Sequence, residues 1–324
     1  NGKDNKDHRV AGGNPCLEQS LESYELCCLV ETFPHNHDSL DDYLTTLKYA
    51  YLYAKTVTLG KTHWPETNRV MLRNRRIGCS VSGIAQFITH RGQGELRKWL
   101  ETGYDKLQEY DKGYSDWFAV PRSIKTTSVK PSGTVSLLAG STPGLHYPES
   151  RFYIRRIRLS NMSPLIKPLE KAGYKIEPAF GSEDSTVVIE VPVDVGEGIR
   201  TVSEVPMWEQ MALAAFMQRY WADNQVSCTV TFDPKTEGSQ IATALNYFQY
   251  QLKGISFLPK LELGAYKQMP YEEITEKKYN KMVSELSFLS FRQVKGNEAE
   301  VDKFCNNDTC EIDLEAIKET QEVE

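Results

Sequence analysis

Between residues 38 and 60, apolar side chains at Leu40, Tyr43, Leu44, Leu47, Tyr51 and Ala54 recur every three to four positions and stop at a glycine, which predicts an amphipathic helix. The same reading predicts helices over 94–110, 207–222, 239–253 and 279–291, the one over 207–222 entered through Pro206, a residue suited to a helix start. Between them lie short runs rich in β-branched residues at 124–129, 186–191, 226–232 and 255–258, which read as strands. Strands alternating with helices predict α/β units with largely parallel pairing. From residue 293 the pattern turns acidic, and 293–324 is expected to form a mobile tail beyond a folded body over 1–292.

Composition narrows the function. With 40% hydrophobic and 25% charged residues, 324 residues suffice for a sizeable core. A net charge of -6, with arginine clusters (Arg73, Arg75, Arg76; Arg151, Arg155, Arg156, Arg158) interrupted by apolar residues, gives no footprint for nucleic acid, although a few arginines suit a phosphate. No apolar run is long enough to span a membrane and no signal-peptide pattern opens the chain, so a cytoplasmic protein is expected. The opening at Asn1 after no initiating Met suggests a chain that begins inside a longer protein. Seven cysteines, unevenly spread, suit thiol chemistry or core packing better than a disulfide scaffold.

Three segments could carry chemistry. In Asn14-Pro15-Cys16-Leu17-Glu18 the proline favours an extended Asn14, and in an extended chain Asn14, Cys16 and Glu18 share a face: a thiol between an amide and a carboxylate. A loop cysteine with two solvated polar neighbours is the alternative. Cys305 and Cys310, in the acidic tail, form a pair that could shuttle electrons by opening and closing a disulfide. Zinc binding is the rival, but it requires four ligands and no second close pair is present. The run from Lys130 through Ser132, Gly133, Thr134 and Val135 to Gly140 follows a predicted strand, and its glycine and hydroxyl residues could present amides to an anion. It lacks the Gly-Lys-Ser/Thr ending of a P-loop, and an ordinary helix cap is the other reading. His63, His90 and His146 read as structural or surface residues, and no metal ligands are assigned.

The whole string from Asn14 to Pro34, with Cys27 and Cys28 inside it, resembles the active-site segment of ribonucleotide reductases. Residues 130–140 followed by Thr142-Pro143-Gly144-Leu145-His146, the segment 68–83 with Asn74-Arg75-Arg76-Ile77-Gly78, and 224–231 resemble further core segments of the same family, so the likeness runs from about Asn14 to Pro259, with the tail pair added. The resemblance implies that Cys16 becomes a thiyl radical that takes the ribose 3′ hydrogen, with Glu18 and Asn14 holding and deprotonating the sugar hydroxyls. It implies that Cys27 is one of two redox cysteines, its partner lying in an amino-terminal half that this chain lacks; Cys28 is read as packing, since vicinal disulfides are strained. It further implies that Cys305 and Cys310 relay electrons from a thioredoxin-like reductant, and that Ser132, Gly133, Thr134 and Val135 hold the nucleotide's phosphates.

The family's branches differ in how the radical is made. Iron-dependent members use two adjacent tyrosines, and no Tyr-Tyr pair occurs; glycyl-radical members carry an Arg-Val-x-Gly-type motif and lack the counterpart of Glu18. The remaining branch uses adenosylcobalamin, and Tyr24 to Pro34 looks most like its triphosphate-reducing members, which places cobalamin contacts in roughly 173–233 and 259–298. The fold implied is the second half of a ten-stranded α/β barrel, with Cys16 on a central finger loop. Rival readings are a diphosphate reductase large subunit of another class, an inert fragment that needs its amino-terminal half, and a thiol redox protein, which leaves Asn14, Glu18 and the phosphate loop unexplained.

Overall fold

The computed structural model describes residues 7–260 and 267–291. In chain order the elements are β1 (Gly12–Gly13), β2 (Ser20–Leu21), β3 (Leu29–Thr32), α1 (Leu40–Val57), α2 (Pro65–Asn74), β4 (Gly78–Val81), α3 (Ile84–Phe118), α4 (Val135–Leu138), β5 (Phe152–Ser160), α5 (Ile166–Lys171), β6 (Lys175–Pro178), β7 (Thr186–Asp194), α6 (Met207–Tyr220), β8 (Thr229–Phe232), α7 (Ile241–Phe248), β9 (Ser256–Pro259), β10 (Tyr271–Glu273) and α8 (Glu276–Glu285). The described residues fall into two compact units, 7–147 with 198–260 and 148–197 with 267–291. No helix among them is long and apolar enough to cross a membrane.

The first unit is built on parallel pairing. β3 pairs with β4 from Leu29↔Gly78 to Thr32↔Val81, and β8 with β9 from Thr229↔Ser256 to Phe232↔Pro259. Parallel bridges Cys79↔Thr127 and Val129↔Val226 join the two ladders through the run at 127–129. The run at 124–129 was expected to be a continuous strand and is not, because the Asp223 carboxylate takes the Thr126 and Thr127 amides at 2.8–3.0 Å. Donors that a ladder would use are thereby spent on a side chain.

Helices α1, α3 and α6 bury the predicted stripe. Ser39 caps α1, its hydroxyl accepting from the Asp42 amide at 3.2 Å. Tyr43, Leu47, Tyr51 and Ala54 then enter a core that also holds Trp99, Leu100, Met211 and Trp221. The Trp221 indole donates to the carbonyls of Cys79 (3.0 Å) and Ser128 (3.1 Å), fixing β4 beside the 127–129 run. The helix expected at 94–110 is the middle of a longer one, α3, bent at Gly92 (φ 81, ψ 162), where only glycine relaxes comfortably. Buried Ile84, Ala85 and Phe87 extend it upstream.

The second unit departs from the parallel expectation. Its sheet has the order β10-β5-β7-β6, with every neighbour antiparallel. β5 carries Arg155, Arg156 and Arg158 among apolar residues, so its strand character is masked by charge in the sequence. Arg156 is held between Glu190 (2.8 Å) and Glu272, which ties β5 to both its neighbours. Phe152, Ile154 and Ile274, with Tyr279 and Met282 of α8, form a small core. Thr275 caps α8, which therefore starts earlier than 279 and ends at Glu285.

Candidate active site

The segment that carries Cys16 is a tight hairpin rather than the extended chain expected. β1 and β2 pair antiparallel (Gly12↔Leu21, Gly13↔Ser20), and Asn14 to Gln19 forms the loop between them. The Leu17 amide donates to the Asn14 carbonyl at 2.9 Å, with Leu17 in the left-handed region at φ 58, and the Gln19 amide donates to Asn14 Oδ1 at 3.0 Å. Closing the turn in this way satisfies polar groups that an extended strand would leave unpaired. Asn14, Cys16 and Glu18 therefore come together through a turn: Asn14 and Glu18 are buried (8% and 1% exposed), and Cys16 is half-buried.

Below the loop, the Gln225 amide donates to the Glu18 carbonyl at 3.1 Å while the Gln225 carbonyl accepts from the Val129 amide at 3.1 Å. Gly78 permits close approach here: a methyl in place of its hydrogen would stand 1.9 Å from Gln19 Nε2 and 2.5 Å from Ser128 Oγ. Arg76, fully buried, binds Asp7 at 2.7 Å, Glu25 at 3.0 Å and Asn224 at 3.1 Å, which anchors the chain on both sides of the loop.

Cys27 reaches solvent, yet the protein packed around it, and then the negative charge of Glu18, Cys16 and Glu25, push its thiol up to about 12, with Arg76 opposing. The thiol therefore keeps its proton at neutral pH, and its electrostatic neighbours include Glu18 and Cys16 of the turn. Cys28 points the other way, its Sγ donating to the Ala54 carbonyl at 3.3 Å in the core, where burial pushes it up to about 11. Cys305 and Cys310 lie outside the described residues.

Ser132, Gly133, Thr134 and Val135 lie where the 127–129 run ends, at the start of the one-turn helix α4. The first amides of a helical turn have no intrahelical acceptor. Ser132 is left-handed (φ 40), its carbonyl accepts from Ser136 Oγ, and its own Oγ is fully buried with no partner. Thr142 Oγ1, just past the loop, is likewise buried and unpartnered. A left-handed serine and two buried, unpartnered hydroxyls thus lie in and just beyond this loop.

The chain matches no family model. It is 62% identical over 314 residues to a protein of Dictyostelium discoideum named a probable adenosylcobalamin-dependent ribonucleoside-triphosphate reductase, covering 95% of this chain and 41% of that protein. It is 60% identical over 316 residues to the adenosylcobalamin-dependent ribonucleoside-triphosphate reductase of Euglena gracilis, covering 96% of this chain and 43% of that one. The crystal structure of a B12-dependent (class II) ribonucleotide reductase superposes with TM-score 0.76 and 33% identity over 87% of this chain and 43% of that one. This chain belongs to the adenosylcobalamin-dependent ribonucleotide reductases. The chain spans about two fifths of the length of the curated reductases it matches. The α subunit of a class Id reductase from Actinobacillus ureae, at 16% identity and TM-score 0.58, shares the fold.

Three residues that fasten the surroundings of the candidate site carry no distinctive signal in the sequence. Asp223 reads in the sequence as a lone solvated charge and Arg76 as one member of an interrupted arginine cluster, yet both are buried. His35 is the third: its Nε2 lies 3.2 Å from Ser141 Oγ, and burial, then His90 and His37, hold its imidazole down at about 4. His146 is structural, as expected, its Nε2 accepting from the Thr229 amide at 3.1 Å.

Proposed function

We propose that this chain forms the catalytic, carboxy-terminal part of an enzyme that reduces ribonucleoside triphosphates to 2′-deoxyribonucleotides for DNA synthesis, in the cytoplasm, by thiyl-radical chemistry. The observation that carries the reading is the turn itself: a half-exposed Cys16 between buried Asn14 and Glu18, within electrostatic reach of a protonated Cys27. The five parallel runs of the first unit are one half of a ten-stranded barrel, with the Asn14–Gln19 turn as its finger loop. An amino-terminal half completes the barrel and contributes the second redox cysteine.

The residues present fit adenosylcobalamin, because Cys16 is open to a group approaching from outside while its neighbours are enclosed. What the cofactor supplies when bound is Co–C homolysis, the source of a radical able to take the Cys16 hydrogen. By the family likeness, residues in roughly 173–233 and 259–298 would hold it. Cys16 as a thiyl then takes the ribose 3′ hydrogen, forming S–H and leaving the unpaired electron on C3′; the two bonds are close in strength, so the step can reverse. Glu18 accepts the 3′ hydroxyl proton while Asn14 orients the hydroxyls. The 2′ C–O bond breaks with loss of water, whose extra proton comes from Cys27 Sγ, a thiol that retains its proton at neutral pH. Cys27 and its partner thiol close to a disulfide and so deliver two electrons, the partner thiol's hydrogen going to C2′; Glu18 returns its proton to the 3′ oxygen, and Cys16 returns its hydrogen to C3′. Ser132, Gly133, Thr134 and Val135 hold the phosphates throughout. Cys305 and Cys310 reopen the disulfide with electrons from a thioredoxin-like reductant.

The test compares two variants of the full-length protein. Cys16→Ala is expected to abolish deoxynucleotide formation with every reductant. Cys305→Ala is expected to stop multiple turnover with thioredoxin but to spare turnover with a small dithiol. Equal activity of both variants under both reductants overturns these roles.

A further inference from the structure

The segment from Lys130 to Gly144 contains the phosphate loop, and its two ends meet. A methyl on Gly144 would stand 2.3 Å from the Lys130 carbonyl, and Gly144 has φ 53, so the junction tolerates little besides glycine. Both ends are fastened to one carboxylate through a matched pair of buried serines. The Lys130 amide donates to Ser80 Oγ at 2.8 Å, and Ser80 Oγ donates to Glu31 Oε1 at 3.1 Å. The Gly144 amide donates to Ser82 Oγ at 2.8 Å, and Ser82 Oγ donates to the same Glu31 oxygen at 2.7 Å. Ser80 and Ser82 are fully buried and stand on the same side of β4 and its continuation, with Glu31 directly opposite Ser80 on β3.

We infer that Glu31 is a positioning residue for phosphate binding: one acceptor oxygen closes the loop at both ends and sets the direction of its backbone amides. A hydroxyl that donates to a carboxylate becomes a stronger and better-fixed acceptor, so each serine holds its backbone amide in one orientation. Further bonds secure the returning arm, from Gln86 Nε2 to the Gly140 carbonyl (2.9 Å), from the Thr142 amide to Gln86 Oε1 (2.8 Å) and from Asn36 Nδ2 to the Ala139 carbonyl (2.9 Å). None of these three bonds reaches the Lys130 end, whereas Glu31 is tied through Ser80 and Ser82 to both ends. Glu31 lies on β3, four residues after Cys27, so the stretch leading on from the redox thiol and the phosphate loop share one fastening. This inference rests on the reading of 132–135 as the phosphate site, and the experiment separates the two.

The probe is inorganic triphosphate, with CTP and cytidine in parallel, titrated into the full-length protein and into its Glu31→Ala, Glu31→Gln and Ser82→Ala variants, each first shown by urea unfolding to be folded. Amide exchange over 133–137 is followed with and without inorganic triphosphate. The expected result is protection of 133–137 in the parent, and triphosphate affinity about tenfold or more weaker in Glu31→Ala and Ser82→Ala, the size of one lost charge-assisted fastening. Glu31→Gln keeps an acceptor oxygen and should stay within about threefold, cytidine binding should not change, and the Glu31→Ala and Ser82→Ala effects should be less than additive together. Protection in the parent with undiminished triphosphate affinity in Glu31→Ala overturns the role of Glu31, as does an equal loss for cytidine. Absence of protection at 133–137 in the parent instead overturns the phosphate loop.

Discussion

Removing the Asp223 carboxylate should unfasten the run that leads from the Cys16 turn to the phosphate loop. Its oxygens accept from the amides of Thr126 and Thr127 and from both threonine hydroxyls, all at 2.8–3.1 Å, and the residue is 4% exposed. The hydroxyls can turn to other acceptors, as Thr127 Oγ1 already does toward the Trp221 carbonyl at 2.6 Å. The two amides cannot, and a buried donor left without a partner costs about 1–3 kcal/mol, so Asp223→Ala should lose about 4 kcal/mol of stability. Asp223→Asn keeps one acceptor oxygen and should lose about half as much. Urea unfolding followed by circular dichroism and tryptophan fluorescence reads the difference as a lower midpoint at unchanged slope. The exposed Asp105 of α3 serves as control, and its alanine variant should stay within about 0.5 kcal/mol of the parent. A loss below about 1 kcal/mol for Asp223→Ala would refute the reasoning, because it would mean that the amides find other partners.

Three further outcomes follow from the site. Because burial and Glu18 push the Cys27 thiol up to about 12 from an ordinary 9.0, its alkylation should be slow at pH 8 and rise toward pH 12, and Glu18→Gln should speed it at pH 8; mass spectrometry of the labelled peptide checks both. His35, held down at about 4, refuses a proton that the unfolded chain accepts below 6.5, so its contribution is present above pH 6.5 and lost as pH falls through 4; His35→Gln should flatten that part of a midpoint-against-pH curve. In Gly83→Ala the new methyl would stand 2.2 Å from His35 Nδ1 at a φ of 75, which should cost about 2 kcal/mol or more in thermal or urea unfolding.

Legibility in the sequence followed the strength of the local signal. The α1 stripe, the α6 start at Pro206 and the 255–258 run were readable because period, cap and β-branching agreed. The strand β5 was not, since its arginines find most of their partners on β7, on β10 and just before β10, which are distant in sequence. Of the candidate site, Cys16, Glu18, Asn14 and Cys27 could be proposed from one continuous string, but not their arrangement: the turn depends on Asn14 Oδ1 capping Gln19, a bond that proline at 15 does not announce. Glu31, Ser80 and Ser82 were invisible for a related reason. Their meaning lies in which amides the serines accept, and Lys130 and Gly144 come together only in the folded chain.

The most direct measurement is reduction of CTP and of CDP by this chain completed with an amino-terminal half, under a dithiol reductant, with and without adenosylcobalamin. The account predicts deoxynucleotide only when adenosylcobalamin is present, and faster from CTP. Product that forms equally well without it, or no product from a folded and nucleotide-binding complex, would contradict the account.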